Sequence, residues 1–206
     1  MKPFEKLLTT NQLERFSTNI PKFVQYLEDL NKWNKTYNLT AITNPNEQMT
    51  KHIVDSLMVG HLLHGDHILD VGTGPGLPGI PLAICYPNKT FTLLDSNRKK
   101  TAFLTHIKQI LGLNNVQIIH HRVESFSPSI RFDSIVSRAF SNLSDMLKKT
   151  EHLIAKQGRF IALKGVMPRE ELADIPDRFE VTTIKKLQIC GLEGERHVVI
   201  LTLKGC

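Results

Sequence analysis

Four glycines within eight residues, Gly72, Gly74, Gly76 and Gly79, follow the apolar run HILDV and dominate the stretch ILDVGTGPGLPGIPLA, residues 68–83. A strand-to-helix turn built this way lets backbone come directly against a ligand, because no Cβ intervenes and positive φ is accessible. Read from Gly74, the segment G-P-G-L-P-G satisfies the dinucleotide fingerprint G-x-G-x-x-G. Read from Asp70, D-V-G-T-G-P-G matches the D-x-G-x-G-x-G pattern of S-adenosylmethionine sites. The loop alone suits either nucleoside.

Its neighbours favour the second. Asp70 ends the strand where it can accept from the ammonium of a methionine tail, whereas it would repel a pyrophosphate. Pro78 and Pro81 remove two backbone donors from the start of the following helix, where an anion would want N–H groups. Asp95 closes the second strand about 20 residues after Gly74, where a carboxylate can accept from both ribose hydroxyls of either ligand. Beyond the third strand, Glu124 or nearby backbone can meet an adenine. Arg138 and Lys164 end the fourth and fifth strands, on the carboxyl edge where open α/β sheets hold ligands. With Arg122 they are the substrate-side candidates, suited to phosphate or, for arginine, to stacking on a base. Trp33 and Tyr37, four apart on a helix, can form a base-stacking pair, although core packing is the expectation for Trp33. The nine histidines show no ligand spacing, so no metal is expected.

These residues need a frame. The first 65 residues read as a helical extension: Phe23, Val24, Leu27, Leu30 and Trp33 keep the spacing of one buried face. A second helix is predicted over 44–63, with Asn44 capping, Pro45 in the first turn, Glu47 completing a capping box, and Met49, Ile53, Leu57 and Met58 facing inward. From residue 66 strands alternate with helices: HILDV, TFTLLD (90–95), VQIIHH (116–121), FDSIVSRA (132–139) and RFIALKG (159–165), with helices after the glycine loop, over SNRKKTAFLTHIKQILGL and from about 142 to 155. That alternation implies a doubly wound, largely parallel sheet over residues 66–206. FEVTTIKKLQIC and RHVVILTLKG, joined by GLEGE, can then pair as an antiparallel hairpin, whereas nucleotide-dependent dehydrogenases as a family normally continue with more parallel units.

Length and composition set limits on the function. With 206 residues, 41% hydrophobic and 22% charged, one structural domain and its decoration are expected, folded throughout. The three cysteines form no C-x-x-C pair, which fits a reducing compartment. Glu5 and Glu14 interrupt the apolar positions a secretory signal would need, and no apolar run reaches membrane-spanning length, so a cytoplasmic protein is expected. A net charge of +6 leans toward a polyanionic partner. A monomer is favoured.

Taken together, LNKWNKTYNLTAI, KHIVDSL, DVGTGPGLPGIPLAI, TLLDSNRKKTAFL, RVESF, FDSIVSRAF, GRFIALKG and LEGERHVVI resemble the successive blocks of the bacterial small-subunit rRNA guanine-N7 methyltransferases, the glucose-inhibited division protein B family. The resemblance spans about residues 20 to 203. It implies a class I S-adenosylmethionine-dependent methyltransferase fold, Rossmann-like, with a mostly parallel seven-stranded sheet. It further implies methyl transfer to N7 of a 16S rRNA guanosine in the decoding-region loop, giving 7-methylguanosine. Gly72, Gly74 and Leu77 would then belong to the cofactor loop, Asp95 to the ribose, Val123 and Glu124 to the adenine, and Arg138 to both cofactor and substrate. No general base is expected, since guanine N7 is an unprotonated acceptor on the major-groove edge. The alternatives are a methyltransferase acting on another RNA position and, further off, an NAD-dependent oxidoreductase.

Overall fold

The computed structural model describes residues 2–138, 140 and 142–205. Seven strands, β1 (His67–Val71), β2 (Thr90–Asp95), β3 (Val116–His120), β4 (Phe132–Ser137), β5 (Ile154–Lys164), β6 (Phe179–Lys186) and β7 (His197–Leu203), form one sheet in the order β3-β2-β1-β4-β5-β7-β6. The first five strands are parallel, and β7 runs antiparallel to both β5 and β6. This is the class I methyltransferase sheet expected from the sequence. The order reverses between β1 and β4, which opens a crevice at the carboxyl ends of the parallel strands.

Helices cover both faces. In chain order they are α1 (Lys2–Thr10), α2 (Ile20–Tyr37), α3 (Pro45–Gln48), α4 (Asp55–Leu57), α5 (Gly79–Cys85), α6 (Arg98–Leu111), α7 (Leu143–Thr150) and α8 (Arg169–Ala173). Successive strand side chains point to opposite faces. Ile68, Val136, Ile161 and Leu163 therefore join one buried cluster with the N-terminal helices, α5 and α6, while Leu69, Val71, Ile135 and Ala162 join a second cluster with α7. Phe23, Leu27 and Leu30 are buried as expected; Val24, Trp33 and Met58 are partly buried. Trp33 packs on Phe103 and His106 and keeps Tyr37, which is exposed, 5.4 Å away.

Three elements depart from the sequence reading. The single helix predicted over 44–63 is interrupted: between α3 and α4, Met49–Val54 is π-helical, and a 3-10 turn follows at Gly60–Leu62. The Asp55 N–H reaches back to Thr50 O, which frees the Lys51 carbonyl for a partner elsewhere. Asn44 caps by accepting from Asn46 N, but Glu47 pairs with Lys51 at 2.7 Å. The helix expected to reach 155 stops at Thr150, and β5 starts at Ile154, paired with Phe132. The short helix α8 has no counterpart in the sequence reading.

Candidate cofactor cleft and its carboxylate supports

The glycine loop is held from three sides. Asp70, at the end of β1, is fully buried; its Oδ2 accepts from Thr73 Oγ1 at 2.7 Å and from Gly79 N at 2.8 Å. Asp95, at the end of β2, accepts from Gly74 N at 2.9 Å through Oδ2 and from Asn97 N at 2.8 Å through Oδ1. Tyr26, buried in α2, donates its hydroxyl to the Pro75 carbonyl at 2.9 Å. Burial raises the Asp70 carboxyl to about 6 and pushes the Tyr26 hydroxyl well above its ordinary value. Two glycines have distinct tasks. Gly72, at φ 65°, lies on the cleft wall. Gly79 admits α5 against the sheet, since a Cβ there would stand 2.2 Å from Leu93 Cδ2 and 2.7 Å from Asp70 Oδ2.

Asp70 has a task that its position did not suggest. It faces inward and takes the first amide of α5 through Oδ2, while its Oδ1 has no partner among the described residues. The occupied amide bears on ligand choice. A diphosphate bound as in dinucleotide folds needs free N–H groups at this helix start. Here a carboxylate occupies Gly79 N, Ile80 N donates to Gly76 O, and Pro81 has no N–H.

Beside the loop, a cleft of about 250 Å³ brings together Gly72, Asp95, Arg122, Val123 and Glu124, the candidates from the ends of β1, β2 and β3. Leu94 and Phe140 add apolar wall, and Lys100 and Lys149 add charge. Lys100 Nζ lies 3.8 Å from Asp95 Oδ2. Glu124 is exposed and 3.5 Å from Lys149 Nζ; a backbone N–H, more than that ammonium, holds its carboxyl below the usual range. Gly74 stands behind the wall, fastened to Asp95. Leu77 is buried, with its N–H on Thr73 O, and supports the loop from inside the core.

Arg138 and Lys164 are not on this wall. Arg138 donates through Nη1 to the freed Lys51 carbonyl at 2.9 Å and to Asp55 Oδ2 at 3.0 Å. Asp55 is completely buried, and its other oxygen accepts from Arg196 Nε at 3.1 Å. Lys164 is 9% exposed, and its ammonium meets Glu171 Oε2 at 2.6 Å and the Phe140 carbonyl at 3.1 Å. Glu171 Oε2 also accepts from Leu143 N at 2.8 Å. Lys164 thus ties α8 and the segment before α7 to the end of β5, which sets Phe140 in the cleft wall.

Asp55, Arg196, Glu171 and Tyr26 are the residues that sequence reasoning missed. Asp55 lies two residues from both Ile53 and Leu57, on the opposite side of a helix from them, so apolar spacing gave no sign of its burial. Among the described residues no three His, Cys, Asp or Glu side chains cluster as a metal site, and no helix is long and apolar enough to cross a membrane.

The architecture defines a class. A methyltransferase from Thiobacillus denitrificans, solved with S-adenosyl-L-homocysteine, superposes with a TM-score of 0.55 over 85% of this chain and 98% of its own, at 12% identity, a likeness of fold alone. Sequence narrows it. The family described as rRNA small subunit methyltransferase G matches residues 19–199. The ribosomal RNA small subunit methyltransferase G of Photobacterium profundum is 47% identical over 199 residues, covering 97% of each chain, and that of Enterobacter sp. is 49% identical over 180 residues, covering 87% of each. This chain belongs to the rRNA small subunit methyltransferase G family.

Proposed function

We propose that this protein transfers a methyl group from S-adenosylmethionine to N7 of a guanosine in 16S rRNA of the small ribosomal subunit, in the cytoplasm. Its relatives carry the name of a small-subunit rRNA methyltransferase. The observation that carries the choice of cofactor is the Asp70 carboxylate on the first amide of α5, which closes the place of a diphosphate while leaving a nucleoside cleft beside it. The residues fit that group. Gly72 presents bare backbone, Val123 and Leu94 offer apolar surface to an adenine, and each Asp95 oxygen, with two acceptor sites, has one left for a ribose hydroxyl.

When bound, adenosylmethionine supplies an electrophilic methyl on a cationic sulfur. Guanine N7 carries a lone pair and no proton, so the chain has no proton to remove, and its task is alignment. Holding two reactants in line supplies on the order of 7–11 kcal/mol in favourable cases. Gly72 and Asp95 fix the nucleoside half. Arg138, locked by Asp55, presents the guanidinium face left free to the cofactor tail or the RNA. Arg122, exposed at the rim, meets phosphate, and Lys164 acts through the position of Phe140.

The test is incubation with adenosylmethionine and undermethylated 30S subunits or stripped 16S rRNA, followed by mass-spectrometric mapping. One new methyl on N7 of one 16S guanosine is expected. Label on transfer RNA, on protein or on an exocyclic amine would contradict the proposal.

A further inference from the structure

A second and larger cavity, about 630 Å³, lies away from the cofactor cleft, between the N-terminal helices and the edge strand β6. Two separate parts of the chain bring cations to it, Arg15 from the turn after α1 and Lys185 with Lys186 from the end of β6, and a third, the 3-10 turn after α4, brings the His61 ring. Asn11 and Gln188 add amides, and no aspartate or glutamate lines it. Lys186 is paired with Glu195. Arg15 and Lys185 are exposed, and neither makes an ion pair among the described residues. Burial lowers the His61 ring from its ordinary value, and the charges of Lys185 and Arg15 lower it further, so the three groups are close enough to feel one another.

Lysines on an edge strand commonly serve to block pairing with another chain. That accounts for β6 but not for Arg15 and His61, which come from other elements and converge on the same space. Uncompensated like charges around one groove are unfavourable until an anion enters.

Position suggests which anion. Lys186 is level with His197 of β7, and His197 is level with Lys164, which ends β5. The groove's β6 wall therefore ends at the same carboxyl edge as the cofactor cleft. Four strand steps separate β1 from β6, roughly 19 Å at ~4.8 Å each. A polymer with repeating negative charge can reach both; a single small anion cannot.

We infer that this groove is a second RNA contact, taking the phosphodiester backbone of the substrate at nucleotides outside the methylated one. The inference rests on the rRNA-methyltransferase reading and deepens it. Arg15 and Lys185 make the direct phosphate contacts, and His61 stands between them.

Charge reversal tests it, with Lys185→Glu and Arg15→Glu made singly and together, and Lys185→Gln and Arg15→Gln as milder replacements that keep the test valid if the reversed proteins do not fold. Filter binding of labelled 16S rRNA fragments is measured across a potassium chloride series, alongside KM for RNA in the methylation assay. The double variant is expected to raise KM about tenfold and to reduce the slope of log K against log salt by about 1 for each lost contact. Folded variants with unchanged KM and slope would overturn the inference. A shift of the His61 ring signals by millimolar inorganic phosphate, with RNA affinity untouched by the substitutions, would make the groove a small-anion site and also overturn it. Absence of rRNA methylation by the unaltered protein is a separate result that strikes the proposed function, whereas filter binding still reads the groove.

Discussion

The Asp55 carboxylate and the Arg138 guanidinium lie 3.0 Å apart although 83 residues separate them in sequence. The pair joins the helical extension to the carboxyl end of β4, and Arg196, just before β7, binds the other carboxylate oxygen. Asp55 has no exposed surface, while the arginine side chains keep 26% of theirs. The arrangement fixes Arg138 in direction and leaves part of it for a ligand. The π-helical turn contributes by releasing Lys51 O to the same guanidinium.

Asp55→Asn should destabilise the fold by about 2 kcal/mol. Breaking a buried pair typically costs roughly 3–5 kcal/mol, but the two arginines here can turn toward water, which offsets part of that. Denaturant midpoints at constant m-value give the number. A loss under about 0.5 kcal/mol would mean that the pair is peripheral.

Tyr26→Phe should cost about 1 kcal/mol in stability, because the Pro75 carbonyl loses its donor. Adenosylmethionine should dissociate severalfold more readily, since one of the three fastenings of the loop is gone. Calorimetry on the folded variant checks both effects.

Asp95→Ala removes the acceptor of two backbone amides as well as the ribose partner. A rise in cofactor Kd of at least about tenfold, or 1.4 kcal/mol, is expected. Unaltered binding would place the ribose elsewhere.

The pH dependence of stability should expose Asp70 and His52 as opposing groups. Burial lifts Asp70 from 3.8 to about 6, so it favours the folded state at low pH, and that advantage is lost as pH rises through 6. Burial, reinforced by the Arg138 charge, drops His52 from 6.5 to about 4; the unfolded chain takes up this proton first, so stability falls as pH drops from 6.5 through 4. Between about 4 and 6 the two slopes cancel. In Asp70→Asn the opposing slope is gone, and stability should climb with pH by about 1.4 kcal/mol per unit from His52, with His61, also lowered, adding in the same direction. Urea midpoints at pH 4, 5 and 6 decide it, and a variant profile parallel to that of the unaltered protein contradicts the assignment.

What could be read from sequence follows a physical pattern. HILDV and TFTLLD are largely apolar runs ended at Gly72 and Asp95, and they and the closing hairpin stand where the sequence pattern put them. Gly72, Asp95, Val123 and Glu124 converge because strand ends in a parallel sheet share one edge. The π turn was invisible, since widening one helical turn barely alters apolar spacing. Helix α8, the polar run REELA, lies where Glu171 meets Lys164 and Leu143, and no local pattern announces it. The contacts of Asp70 with Thr73 and Gly79 were not legible, because strand position gives a residue's height in the sheet but not which neighbour will take its oxygens.

Isothermal calorimetry of the unaltered protein against adenosylmethionine and against NAD tests the central claim most directly, that a carboxylate has closed the diphosphate position beside an open nucleoside cleft. Saturable binding of adenosylmethionine, weakened in Asp95→Ala, with no heat from NAD, is the result this structure calls for. Saturable NAD binding with none from adenosylmethionine would contradict it.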